Sequence, residues 1–215
     1  MDLIERVEGN LKSSPAVGAR WAKSQRATPK LTEYLAVSVF LFVVSSTLGF
    51  YVGLVNPWLS EQLIEALRSS VEPLTTQGAL MLLALILLNN ASKCLGAIML
   101  GLLFGLAPLI FDVVNGFILG LLAVASAKVE AAPFSFLVKL APHGALEVPA
   151  MLFSVAVGLR EGVAMIKKLR GEEVSLKEEA KQGLKLFVRL VLPLLLSAAV
   201  IEVFLTPLIV SLILG

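Results

Sequence analysis

Hydrophobic positions along the chain fall into five long runs, with shorter stretches between them where apolar residues recur at helical spacing among charges. The first run, about 32–51, is rich in Val, Phe and Leu, and Gly49, Gly53, Asn56 and Pro57 are expected to end it. In 58–71, Leu63, Ile64, Leu67 and Val71 form a stripe that Glu61, Glu65 and Arg68 avoid, the pattern of a helix lying at the membrane interface. The second run, 78–105, would be about 42 Å long as a helix, against a hydrocarbon core of about 30 Å, so it tilts, bends or projects. Pro108 marks a connection, and the third run covers about 109–125. A short amphipathic piece, 128–140, reads as interfacial or re-entrant. The fourth run, 141–162, carries Pro149 and is expected to bend there. Residues 160–185 are highly charged and helical around 172–182. The fifth run, about 186–205, contains Pro193, and the apolar tail either extends it or lies at the interface. At the start, Leu3, Ile4, Val7 and Leu11 predict an amphipathic surface helix within residues 1–30.

Composition turns these runs into membrane spans. The 215 residues are 57% hydrophobic, with a mean hydropathy of +0.88, beyond the range of ordinary soluble domains. The predicted fold is an all-α membrane protein: a bundle of five transmembrane helices with short amphipathic interfacial helices. A cytoplasmic amphipathic segment, 1–30, precedes a polytopic domain, 31–215. No signal peptide is expected, because a charged segment comes first. With the N-terminus inside, residues 1–30 and 160–185 share one side and hold thirteen of the eighteen Lys and Arg, against three opposite. That asymmetry places the chain in the cell membrane with its N-terminus cytoplasmic and its C-terminus outside. The basic residues flank spans, and no nucleic-acid motif accompanies them, so the expected partner is the lipid bilayer. The single cysteine, Cys94, allows no internal disulfide.

Ionisable and amide residues inside these runs are the candidate chemistry, since such groups are costly in a bilayer and face protein or a wet cavity. The only histidine, His143, and Glu147 sit four residues apart on one helix face, which continues through Ala150, Ser154 and Gly158. The fifth span runs outward, bringing Glu202 to the depth of that pair. The predicted intramembrane polar cluster is His143, Glu147 and Glu202 with Asn89, Asn90 and Asn115. A hydrogen-bonded structural device, an ion or proton path, and a metal site with His143, Glu147 and Glu202 as ligands are its three readings. Lys93 also needs a partner, and Asp112 begins the third span at a different depth. Small residues predict close helix contacts at Gly101, Gly105, Gly116, Gly120 and Gly158, and such stripes are compatible with a homodimer. No hydrolase, nucleotide-binding or redox motif is complete. Ser154 lies about 16 Å along the helix from His143, which excludes a serine–histidine dyad.

Four stretches carry a family resemblance: LLNNASKCLGAIMLG (87–101), VVNGFILG (113–120), APHGALEVPAMLFSVAVGL (141–159) and SAAVIEVFLTP (197–207). With the PHGxxE core and the closing AxxxE–TP pattern, the chain resembles the stage II sporulation protein M family, while residues 1–77 resemble it only in general layout. The resemblance implies a multi-pass protein with little extramembrane mass. In sporulating bacteria the family member works with secreted cell-wall hydrolases as a membrane anchor or scaffold. The implied function is a non-enzymatic scaffold or assembly factor that anchors membrane or secreted proteins, with no cofactor. The alternatives from the residues are a small transporter or channel and, third, an intramembrane metal-dependent enzyme.

Overall fold

The computed structural model describes residues 30–75, 78–129 and 135–213, and every element among them is helical. The expected surface helix within residues 1–30 lies outside the described residues. Five helices are long and apolar enough to cross a membrane: Leu31–Val55, Ala79–Leu102, Leu106–Ala127, Leu140–Leu169 and Leu176–Ile213. The elements are α1 (Leu31–Val55), α2 (Pro57–Thr75), α3 (Ala79–Met99), α4 (Leu106–Val129), α5 (Ser135–Leu169), α6 (Leu176–Leu186), α7 (Leu192–Val200) and α8 (Thr206–Ile213). The last three form one rod, joined by π-helical turns at Phe187–Val191 and Ile201–Leu205.

The rod's two π turns have a common cause. Each lies two residues before a proline, Pro193 or Pro207. Proline lacks the N–H that would bond the carbonyl four residues back, and its ring crowds that carbonyl. The helix widens instead: Leu192 N–H reaches Phe187 O, and Thr206 N–H reaches Ile201 O. The Thr206 hydroxyl adds a second bond to Ile201 O at 3.2 Å. The tail therefore extends the fifth helix.

Packing is organised around α5, which touches α1, α3, α4, α6, α7 and α8. Two-thirds of its most apolar stretch (67%) is buried, against 11–33% for the other spans. At Gly101 and Gly158 its contact with α3 and the turn that follows is backbone on backbone. A methyl group on Gly101 would overlap the Gly158 backbone, and one on Gly158 would overlap Ala97 O. After the 3-10 turn Leu100–Leu102, Phe104 and Gly105 take left-handed backbone conformations at φ 59° and 73°. Gly105, expected from its spacing to continue a helical stripe, is instead a turn residue; it still presses on Gly162 across the interface.

The α1–α4 pair uses the same device. The buried face of α1 is Leu31, Tyr34, Ser38, Phe42, Ser45, Gly49 and Gly53, spaced at helical period. Gly116 and Gly120 of α4 lie against the Phe42–Ser46 and Ser46–Phe50 backbone, and Gly49 lies against Phe117 O. Gly49 and Gly53 therefore sit inside α1 as contact residues and do not end it. The helix stops at Asn56, its C-cap, before Pro57. The larger residues Val37, Phe40, Val44 and Leu48 are exposed on the opposite face.

Three expected boundaries move. Residues 135–140 belong to the first turns of α5 and not to a separate interfacial piece, while 130–134 lie outside the described residues. α5 also runs through Pro142 and Pro149 without a break in its helix. The charged segment begins only after Leu169, because Arg160 and Glu161 are buried within α5 and α6 already starts at Leu176. Ser175 caps α6 by accepting the Glu178 N–H.

Gly158→Ala and Gly96→Ala are expected to act in opposite directions in thermal unfolding of the detergent-purified protein. The first drives a methyl into rigid backbone at the α3–α5 contact, whereas nothing lies within 4 Å of the position a Gly96 methyl would occupy. Gly96→Ala should gain up to about 1 kcal/mol of helix propensity, and Gly158→Ala should lower the unfolding temperature by several degrees. Equal shifts would remove the close backbone contact as the reason for that glycine.

Candidate functional site

The PHGxxE stretch opens α5, and its i, i+4 spacing points His143 and Glu147 the same way. The π turn Ile201–Leu205 presents Glu202 to them. Ligand-capable atoms of His143, Glu147 and Glu202 all lie within 4.8 Å of one another, and each side chain is half-buried. His143 Nδ1 is buried with no hydrogen-bond partner. Glu147 lies in the field of Glu202, His143 and Lys93.

Next to this triad is a cavity of about 90 Å³ lined by Asn90, Lys93, Cys94, Phe111, Asn115, Glu147, Met151 and Leu195. Asn90 and Asn115 thus join Glu147 at one space. Asn115 also spends one amide hydrogen on Phe111 O at 2.6 Å. Asn89 departs from the expectation. It is exposed on α3 and donates to Asn90 Oδ1 at 3.3 Å, so it supports Asn90 from outside and does not line the cavity. The reason is angular: adjacent residues on a helix point about 100° apart. Cys94 is buried and lines the cavity beside Ser154, whose hydroxyl returns to Ala150 O at 2.9 Å.

A second polar group, absent from the predicted cluster, lies about 26 Å farther along α5 at its 1.5 Å rise per residue. Arg160 Nε and Glu179 Oε2 form an ion pair at 3.1 Å, with both side chains at least nine-tenths buried. Glu161 is fully buried against Gly183, and neither of its carboxyl oxygens has a hydrogen-bond partner. The Tyr34 hydroxyl and Gln182 Oε1 are also buried without partners. Glu161 interacts with Arg160 and Glu179, and Tyr34 with the same pair. A third feature stands apart from both: Asp112 is fully buried between α4 and α1, beside Ser38. The signal for the Arg160 group was its helical phase, since Arg160 and Glu161 continue the buried face of a helix that had been expected to end near 162.

Between the two polar ends the bundle is filled. Ile98, Val155, Ala156, Val157 and Val191 are fully buried, and Leu195 is 2% exposed. The Asn90–Glu147 cavity and the Arg160–Glu179 pair are therefore separated by close-packed apolar side chains.

Removing one side of the buried pair leaves uncompensated charge, which typically costs about 3–5 kcal/mol. Arg160→Gln should therefore lower the unfolding temperature strongly. Glu161→Gln should leave it unchanged or raise it, because an unpartnered carboxylate costs more to bury than a neutral amide. Thermal unfolding of both variants checks this; a loss on Glu161→Gln as large as on Arg160→Gln would refute the assignment of Arg160 as the charge-compensating group.

No curated protein and no solved structure matches the chain. The sequence model of the stage II sporulation protein M family matches residues 19–207, which include His143, Glu147, Arg160, Glu179 and Glu202. The chain belongs to the stage II sporulation protein M family.

Proposed function

We propose that this membrane protein is a non-enzymatic scaffold or assembly factor that holds membrane or secreted partner proteins at the cell membrane. The observation that supports this most is the filled interior: apolar side chains at most 2% exposed separate the two polar ends. The cavity of about 90 Å³ at one end has room for a few waters and is smaller than the ~300–1,000 Å³ of small-molecule pockets. The surface left to partners is large and apolar. Only 17% of the most apolar stretch of the α3 span and 11% of that of the α6–α8 rod are buried, which leaves surface for lipid, a partner helix or a second copy of the chain. The small residues that pack α1 on α4 and α3 on α5 are used inside the chain.

Transport is the second reading, favoured by the grouping of Asn90, Lys93, Asn115 and Glu147 around one cavity. Proteoliposomes separate the two. A scaffold should leak sodium, potassium and protons no faster than empty vesicles, and should migrate on native gels from its own membranes as a complex larger than the purified chain. Saturable flux abolished by Glu147→Gln would overturn the scaffold in favour of transport, and migration as the bare chain would overturn it as well.

The orientation proposed with this function puts the N-terminus and residues 170–175 in the cytoplasm and the His143 end outside, following the lysine and arginine asymmetry. Glu173 is exposed in the α5–α6 connection. In a Cys94→Ala background, Glu173→Cys is expected to react with a membrane-impermeant maleimide only after the cells are opened. Labelling in intact cells would invert the topology.

A further inference from the structure

The geometry points to a divalent transition-metal site formed by His143, Glu147 and Glu202, one imidazole and two carboxylates from two helices. Three observations lead there, and none depends on the scaffold reading. The first is spacing. The three ligand-capable atoms lie within 4.8 Å of one another, yet no hydrogen bond or ion pair joins any two of them. Two carboxylates this close repel each other unless one takes up a proton or a cation sits between them. Around an ion with bonds of about 2.1 Å, tetrahedral ligand atoms stand about 3.4 Å apart. Rotation of the two glutamate side chains closes that difference.

The second observation is the imidazole. His143 Nδ1 is buried without a hydrogen-bond partner from the protein, which leaves a ring nitrogen open to a metal ion. The third is local backbone. Glu202 is presented by the Ile201–Leu205 π turn, which the Thr206 hydroxyl bonds and Pro207 follows. π turns inside α-helices occur frequently at functional sites, because the extra residue re-aims a side chain.

The donor set selects the ion class. Imidazole suits zinc, iron, nickel and copper, whereas magnesium and calcium prefer oxygen alone, so one nitrogen and two oxygens fit a borderline first-row ion such as Zn²⁺. The two carboxylates balance the ion's charge. Lys93 is the other cation facing Glu147, and His143 is the remaining titratable neighbour from α5 itself. Asn90 and Asn115 face Glu147 across the cavity, where water can complete the coordination.

The chain's single histidine makes the test direct. The full-length protein, purified without a histidine tag and stripped with a chelator, is labelled with ¹⁵N-histidine and titrated with Zn²⁺. One ion should be retained per chain after dialysis, and one imidazole nitrogen of His143 should shift as its ligand. Co²⁺ should give a visible d–d absorption that Zn²⁺ quenches. Glu147→Gln and Glu202→Gln should each weaken Zn²⁺ binding by more than the ~10–100-fold that loss of an outer-shell partner costs, while unfolding as the parent does in the absence of metal. An imidazole unmoved by Zn²⁺ in the parent protein overturns the site, whatever the variants do. So does Zn²⁺ bound equally tightly after both substitutions. Neither result would bear on flux or complex size, so the site and the scaffold reading fail separately.

Discussion

The fold depends on backbone-to-backbone approach at glycine. In a bilayer, burying apolar side chains gains little, because lipid is as apolar as leucine, and helices associate where their backbones can come close. Gly101 against Gly158, and Gly105 against Gly162, bring α3 and the following turn onto α5. Gly49, Gly116 and Gly120 do the same for α1 and α4. The first of these contacts seats α3 and its turn directly on α5. That helix carries one part of each polar end: His143 and Glu147 near one, Arg160 and Glu161 near the other.

The close contacts also explain why the two polar ends are isolated from each other. Where backbones meet, no room remains for water, and the remaining gaps are filled by Ile98, Val155, Val157 and Val191. Each polar group must then be satisfied at its own end. At the Arg160 end the chain uses an ion pair, with one cation for two carboxylates. At the His143 end it brings two carboxylates and an imidazole together and leaves Nδ1 unpaired. Neither end satisfies all of its groups: Glu161, Tyr34 and Gln182 keep unpaired atoms at the first, and His143 Nδ1 does so at the second.

The spans were legible in the sequence because membrane thickness imposes run length, and hydropathy reports that directly. The meeting of His143, Glu147 and Glu202 was legible from i, i+4 spacing combined with the alternating direction of successive spans. The buried face of α1 was not. Hydrophobic periodicity locates a core in water, but in α1 the buried positions are Ser38, Ser45, Gly49 and Gly53, and the bulky residues face outward. A search for small-residue period would have found that face, whereas Gly49 and Gly53 read as helix breakers by soluble-protein rules. The Arg160 group was missed for a related reason. Charge over 160–185 reads as a helical segment in water, and nothing in one sequence says that Arg160 and Glu179 will find each other across two helices.

Proline placement in the last helix joins these arguments. Pro193 and Pro207 stand fourteen residues apart, each two residues after a π turn. An ordinary helix would return almost to the same face after that interval, at about 3.6 residues per turn. Each π turn inserts roughly one residue's worth of rotation without breaking the rod. The first correction falls where Phe187 and Val191 are buried in the core, so the rod begins against α5. The second falls at Ile201–Leu205, where no residue is fully buried. There the turn touches α5 and α3 without burying any residue fully. What it does accomplish is to turn Glu202 toward His143 and Glu147, at the cost of a weaker hydrogen-bond ladder that the Thr206 hydroxyl partly restores. The distortion that Pro207 imposes thus falls where Glu202 faces one carboxylate and one imidazole, so a proline that the helix must accommodate also sets the direction of a polar side chain.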